Sequence, residues 1–107
     1  MTYHENSFIV SRKTLADGNK RDTNNPIKIV WDELKRQQNL AKHGMDFADL
    51  DPEFFESAVV LPAAQGRFMA INVLINGIVT VVFARLGSEG ISIISMRRAS
   101  MKERKAL

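Results

Sequence analysis

The chain has 107 residues, a net charge of +3 and no cysteine. This length is typical of one domain with one core, which neither disulfides nor a thiolate metal site can stabilise. No apolar run reaches the roughly 20 residues of a membrane-spanning helix, so we expect no membrane partner and a cytoplasmic location.

Residues 1–26 are predicted to be a flexible N-terminal extension. The stretch 17–26 is polar and turn-forming, with neither a helical nor a strand period. Residues 7–10 are the part that could pair with another segment, as an arm. The folded domain is expected over residues 27–107.

The domain is predicted to open with a short strand and an exposed helix. Residues 27–30 are mostly β-branched, and Asp32 as N-cap with Gly44 after the last turn predicts a helix over Glu33–His43. Leu34 and Ala41, seven residues apart, are expected to face the core. The opposite, polar face would carry the three residues Lys35, Asn39 and Lys42.

Two further N-caps, Asp46 and Asp51, predict one kinked helix or two short ones, with Phe54 and Phe55 packed inward. Strands over 67–75 and 78–86 then flank Asn76-Gly77, a strong hairpin signal, and a third strand covers 91–97. The middle strand is apolar at nearly every position, so we expect it to be central and covered on both faces.

The chain is predicted to end in a short basic helix. Ser100 is its N-cap, and Glu103 stands three residues later, as in a capping box. The fold class is therefore α+β, with an antiparallel meander sheet, two N-terminal helices packed on one face and a short C-terminal helix.

Positive charge is concentrated at the C-terminal end. Residues 97–107 carry five Lys or Arg and one Glu, for a net charge of +4, whereas residues 29–96 sum to −3. A basic patch is typical of phosphate binding. A solvated helix end, where cations interact favourably with the helix dipole, explains it equally well.

The candidate chemistry is RNA cleavage, which without a metal needs a proton acceptor, a proton donor and cations on the phosphate. His43 is the candidate acid or base, although a histidine ending a helix can simply favour the dipole. Arg97 and Arg98 are the candidate phosphate ligands. Neighbours in a strand point to opposite faces, so both can meet one phosphate only if the strand has ended. The alternative is that one arginine anchors the last helix and the other is solvated.

The spacing of His and acidic residues predicts no metal site, and there is no Gly-rich phosphate loop, so no cofactor is expected. The hypothesis requires the end of the first long helix and the end of the last strand to converge on one positively charged hollow.

Two motifs near opposite ends of the domain are specific enough to compare with known families. The first runs from Trp31 to Gly44 and is followed by Phe47; the second covers 93–99 and is followed by Glu103-Arg104. In this order and spacing they resemble the opening and the close of the BrnT toxins, with the Asn76-Gly77 hairpin where that family has its own.

The resemblance implies a RelE-like fold and the toxin half of a type II toxin–antitoxin pair. It implies metal-independent endoribonuclease activity that inhibits translation. The implied partners are RNA and a BrnA-like ribbon-helix-helix antitoxin, with operator DNA bound only through the antitoxin. By position it assigns catalytic roles to Lys42, His43, Arg97, Arg98 and Glu103.

The candidate residues for binding the RNA backbone are Lys35, Arg85, Lys102 and Arg104. Arg85 departs from the family, which often has an acidic residue late in the middle strand. This departure leaves an alternative, a catalytically impaired module that binds an antitoxin and acts in operator DNA regulation. A second alternative is a domain that binds nucleic acid through its basic tip without cleaving it.

Overall fold

The structure is a computed structural model that describes residues 3–11, 26–75, 77–88 and 90–107. The flexible extension predicted over residues 1–26 therefore falls largely outside the described residues. What is described of it is the backbone of residues 3–11, which forms an edge strand, and residue 26.

The described residues form a six-stranded sheet in the order β1-β2-β6-β5-β4-β3. Its strands are β1 (Tyr3–Ser11), β2 (Pro26–Asp32), β3 (Val59–Pro62), β4 (Phe68–Leu74), β5 (Gly77–Leu86) and β6 (Gly90–Arg98). Strands β4 to β6 make the predicted antiparallel meander, and β3, which was not predicted, pairs antiparallel with β4 at its edge. The prediction of a wholly antiparallel sheet is wrong, because β2 lies parallel to β6. The helices and the meander together supply the long crossover that a parallel pair requires.

Helix α1 has the predicted bounds, and the elements after Asp46, Asp51 and Ser100 begin at their predicted caps, whereas the second 3-10 turn was not predicted. They are α1 (Glu33–His43), a 3-10 turn (Phe47–Asp49), α2 (Pro52–Glu56), a second 3-10 turn (Ala64–Gly66) and α3 (Met101–Arg104). Asp32 accepts a hydrogen bond from the Leu34 N–H, and Gly44 ends α1 in the left-handed region at φ 69°. Within the described part of the chain, no helix is long and apolar enough to cross a membrane.

One apolar cluster lies between the helices and one face of the sheet. Its aromatic side chains meet edge to face: the ring centroids of Phe54 and Phe55 are 5.2 Å apart, and those of Trp31 and Phe47 are 6.0 Å apart. Phe55 also contacts Phe83 of β5 in this way. Burying each of these rings stabilises the fold by about 2 kcal/mol. Trp31 is thus a core residue.

The β4–β5 hairpin forms, but β4 ends and β5 begins one residue earlier than the Asn76-Gly77 signal indicates. Leu74 is paired with Gly77, so Gly77 belongs to β5, and Ile75 follows the last paired residue of β4. Asn76 itself lies outside the described residues. Ile75 has φ 53°, a strained conformation for a β-branched residue. Gly77 is a strand residue here, and a Cβ atom added to it would lie 2.9 Å from Nη1 of Arg98.

A β-bulge in β6 decides which arginine faces the helices. Val82 pairs with Ser95 and Phe83 with Ile93, so Ile94 is the extra residue. The bulge shifts the alternation of side chains by one position. As a result Arg98, opposite the core residue Val79, lies on the helix-covered face, and Arg97 lies on the other.

Helix α1 is held on the sheet by hydrogen bonds from one side chain. Asn39 is its buried residue, whereas Leu34 and Ala41 are exposed, so the prediction that these two face the core is wrong. The Asn39 amide donates to the carbonyl oxygens of Met45 (3.0 Å) and Met96 (2.9 Å). Its oxygen accepts from the Met96 N–H at 3.0 Å. These bonds attach α1 to Met96, which lies two residues before Arg98 in β6.

We expect Asn39→Ala to lower the free energy of unfolding by about 3 kcal/mol, because it removes the partner of two buried backbone groups of Met96 and of the half-buried Met45 carbonyl oxygen. Urea unfolding monitored by circular dichroism measures the change. The exposed neighbour provides the control: Gln38→Ala should change stability by less than about 0.5 kcal/mol. Equal effects of the two substitutions would show that the Asn39 bonds contribute nothing.

Candidate active site

The ends of α1 and β6 meet at a hollow of about 170 Å³ beside the β4–β5 hairpin. This feature, here called the Arg98 hollow, is lined by Gly44, Met45, Asp49, Leu74, Ile75, Gly77, Val79, Met96 and Arg98. Its walls therefore come from the turn after α1, the hairpin and the last residues of β6. The turn after α1 and the end of β6 thus contribute to the same hollow.

Arg98 is the cation among the described lining residues, and Asp49 is the carboxylate. The absence of a side chain at Gly77 leaves room for the guanidinium, which would otherwise meet a Cβ atom at 2.9 Å. Arg98 is exposed, so its donors are open to a ligand that enters from solvent. A guanidinium in this position can bind two oxygens of one phosphate.

His43 and Lys42 occupy the last turn of α1 and are exposed. His43 directly precedes the wall residue Gly44, and its own side chain is not among the described lining residues of the hollow. The exposed imidazole is a candidate proton donor or acceptor for a substrate held at Arg98. Across the described ranges, no three His, Asp or Glu side chains are grouped so that they could hold a metal ion.

Arg97 lies on the opposite face of the sheet and forms an ion pair with Glu103. Its Nη1 and Nη2 donate to the two carboxylate oxygens of Glu103, at 2.8 and 2.9 Å. Glu103 also accepts from the Thr80 hydroxyl at 2.9 Å and from the Ser100 N–H at 2.8 Å, which completes the predicted capping box. The pair therefore anchors α3 to β5 and β6.

The pKa of Glu103 is lowered from 4.5 to about 2, chiefly by its hydrogen bonds to Arg97. The carboxylate is ionised at neutral pH and both its oxygens accept hydrogen bonds. In this arrangement Glu103 has no proton to donate and no free oxygen to receive one. Its geometry suits the positioning of Arg97 and α3.

The predicted RNA-backbone residues lie at three different places. Lys35 is half-buried on α1, and Lys102 and Arg104 are exposed on α3. Arg85 packs its guanidinium 4.9 Å from the ring centroid of Phe68. Arg85 stands six residues along β5 from the partner of Arg98, so about 20 Å separates the two positions.

Two residues that shape the Arg98 hollow are not among the predicted site residues. Asn39 was assigned to the polar face of α1, although asparagine is unfavourable inside a helix and its presence there was a signal of a specific contact. Gly77 was assigned to the hairpin turn. Its close approach to Arg98 depends on the register of β5 and β6, which no local pattern reveals.

A pH titration tests the role of Glu103. Because its pKa in the folded protein lies below the ordinary value, Glu103 stabilises the fold fully above about pH 4.5, and this contribution is lost as pH falls towards 2. We expect the stability difference between wild type and Glu103→Gln to be largest at neutral pH and to narrow over that window. Urea unfolding at several pH values measures it. A difference that does not vary with pH would contradict this.

Residues 31–103, which include both motifs except Arg104, match the family described as the ribonuclease toxin BrnT of type II toxin–antitoxin systems. No curated protein matches the chain. Among solved structures, the chain is similar to the crystal structure of the ribonuclease toxin BrnT of Brucella abortus. The two are 56% identical with a TM-score of 0.62, and the similarity covers 66% of this chain and 94% of that chain. The chain therefore belongs to the BrnT family of ribonuclease toxins, as the resemblance of its two motifs predicted.

Proposed function

We propose that this chain is an endoribonuclease toxin that cleaves RNA without a metal ion and thereby inhibits translation. The observation that carries the proposal is the exposed guanidinium of Arg98 in a hollow bounded by the end of α1, in a chain of the ribonuclease-toxin family. The chemistry needs a cation on the phosphate and an imidazole nearby. Arg98 would supply the cation, and His43, one residue before the wall residue Gly44, would supply the imidazole.

The scissile phosphate would bind in the Arg98 hollow. Arg98 would hold two of its oxygens and stabilise the charge that develops on phosphorus. His43 at the end of α1 would exchange a proton with the 2′-hydroxyl or the departing 5′-oxygen, and Lys42 beside it would add positive charge. Asn39 holds the end of α1 close to the end of β6, because its side chain forms hydrogen bonds to both the turn after α1 and β6.

Arg97 and Glu103 would act as positioning residues in this mechanism. Their paired side chains hold α3 and stand on the face opposite the Arg98 hollow. The cations Lys102 and Arg104 on α3 and Lys35 on α1 would guide the RNA backbone outside the hollow, where each contact contributes to a salt-dependent affinity.

The partner and the location belong to the same proposal. A toxin of a type II system implies an antitoxin, and we take it to be a BrnA-like ribbon-helix-helix protein that links the toxin to operator DNA. The setting would be the cytoplasm, where mRNA is translated. A RelE-like arrangement of the meander fits the four antiparallel strands β3 to β6.

The impaired-module alternative is not favoured. It depended on the departure at Arg85, which stands against Phe68 about 20 Å along β5 from the position opposite Arg98. A change at that distance leaves the walls of the Arg98 hollow intact.

Cleavage assays with purified protein and an mRNA substrate in EDTA test the mechanism. We expect Arg98→Ala to reduce the rate about 100-fold or more, because it removes a donor that stabilises transition-state charge. Arg67→Ala, an equal loss of charge at a residue that neither lines the hollow nor is assigned to RNA binding, should change the rate by less than about threefold at constant salt. Wild-type cleavage by Arg98→Ala would remove this residue from the mechanism. Loss of wild-type activity in EDTA would refute metal independence.

Gly77→Ala tests the placement of the guanidinium. The added methyl group would meet Nη1 of Arg98, a flexible side-chain end that can move away. We therefore expect a change in stability below about 1 kcal/mol but a loss of cleavage of roughly tenfold, from a displaced phosphate ligand. Thermal unfolding and cleavage rates measure the two effects. Gly87→Ala, at a turn glycine with φ 63°, is a control with the reverse pattern. It should destabilise the fold but leave the cleavage rate per folded molecule unchanged.

A further inference from the structure

A second and larger concavity lies beside the Arg98 hollow, between α2 and the end of β4. This feature, here called the acidic groove, has a volume of about 530 Å³. The residues that give it its chemical character are Asp51, Glu53, Phe54, Glu56, Val73 and Ile75. Neither its shape nor its chemistry is used by the mechanism proposed above.

The electrostatics of the acidic groove exclude RNA. Its described lining residues include three carboxylates and no Lys or Arg. Asp51 caps α2 by accepting from the Phe54 N–H, while the side chains of Glu53 and Glu56 are exposed. A phosphate backbone would be repelled here, and a cationic ligand would be attracted.

The groove also presents apolar surface. Val73 is 57% exposed and Ile75 is 74% exposed, and Phe54 is buried at the base. Ile75 has φ 53°, which costs about 1–3 kcal/mol for a β-branched residue. An apolar residue that is both strained and exposed contributes little to the fold, so its side chain is available for a contact outside it. Carboxylates beside apolar side chains are complementary to a segment that is cationic on one side and apolar on the other.

The walls of the acidic groove are held in place before any ligand arrives. The Asn72 amide donates to the Phe54 carbonyl oxygen at 3.0 Å and to the Ser57 hydroxyl at 2.8 Å. These bonds join β4 to the end of α2. A preformed site loses less conformational entropy on binding than a mobile one.

The acidic groove and the Arg98 hollow share a wall. Leu74 and Ile75 line both of them. A segment that lies in the groove and covers the Ile75 side chain would therefore extend to the edge of the hollow and obstruct the entry of RNA.

We propose that the acidic groove docks a cationic, amphipathic segment of the antitoxin, which covers Ile75 and closes the Arg98 hollow. This inference rests on the proposed function and names the chemistry by which that function is regulated. The toxin thereby separates its two ligands by charge: the polyanionic substrate goes to Arg98, and the cationic inhibitor goes to the carboxylates on the other side of the shared wall.

The test uses a fluorescein-labelled synthetic peptide of lysine and leucine with helical amphipathic spacing, and a glutamate–leucine peptide of the same pattern. Fluorescence anisotropy at about 0.15 M salt measures affinity, where charges on distant surfaces are screened. The chain has a net charge of +3, so general attraction does not favour the lysine peptide. We expect the lysine peptide to bind and the glutamate peptide not to bind.

Matched variants locate the binding. Glu53→Gln/Glu56→Gln raises the net charge by two and should weaken binding roughly tenfold. Gln37→Lys/Gln38→Lys, on the exposed side of α1, raises it by the same amount and should change affinity less than about twofold. Ile75→Asn should also weaken binding several-fold without unfolding the chain, because asparagine tolerates a positive φ. Equal weakening by the two double variants, or tight binding of the glutamate peptide, would overturn the proposal.

Inhibition is measured separately from binding. The lysine peptide should slow RNA cleavage by the wild type but not by Glu53→Gln/Glu56→Gln. A peptide that acted by binding the RNA would slow both proteins equally. Binding without inhibition would refute the closing of the Arg98 hollow. Anisotropy needs no nuclease activity, so the peptide-binding result can be interpreted even if the chain does not cleave RNA. The cleavage result can likewise be interpreted even if the peptide does not bind.

Discussion

The Asn39 side chain makes the contacts on which the site depends. It uses one amide to bond three backbone groups that belong to two segments, the turn after α1 and strand β6. Helix α1 has little apolar surface to bury, because Leu34 and Leu40 are both exposed. Hydrogen bonding in a buried setting therefore replaces hydrophobic packing as the means of fixing the helix. It also fixes the relative position of the helix end and the strand end, which a loosely packed apolar contact would leave less well defined.

The adjacent residues Arg97 and Arg98 have different contacts because β6 contains one extra residue, Ile94. Without the bulge at Ile94, the residues of β6 that continue the core face of Ile91 and Ile93 would include Arg97. With it, Arg98 reaches the Arg98 hollow and Arg97 meets Glu103 on the other face. The two cations do not compete for one ligand. Arg97 holds the C-terminal helix through Glu103, and Arg98 is exposed at the hollow.

The sequence predicted those features that local chemistry determines. The caps at Asp32 and Gly44 fixed the bounds of α1, and the Ser100–Glu103 capping box forms as expected. Features that depend on contacts between distant segments could not be predicted. These include the parallel pairing of β2 with β6, the loop position that gives Ile75 a positive φ, and the burial of Asn39. In each, a tertiary contact outweighs the local propensity.

The net charge of a sequence segment does not show how its charged residues are arranged in space. Residues 29–96 sum to −3, which suggests a mildly acidic body and a basic tip. In the fold, three of those acidic residues come together in the acidic groove, and Arg98 from the basic tip lies across the hairpin wall from them. Opposite charges separated by a thin apolar wall make a steep change in potential over a short distance. Such a surface can hold two ligands of opposite charge side by side, so that a ligand of one sign blocks the other by position and not by competing for the same atoms.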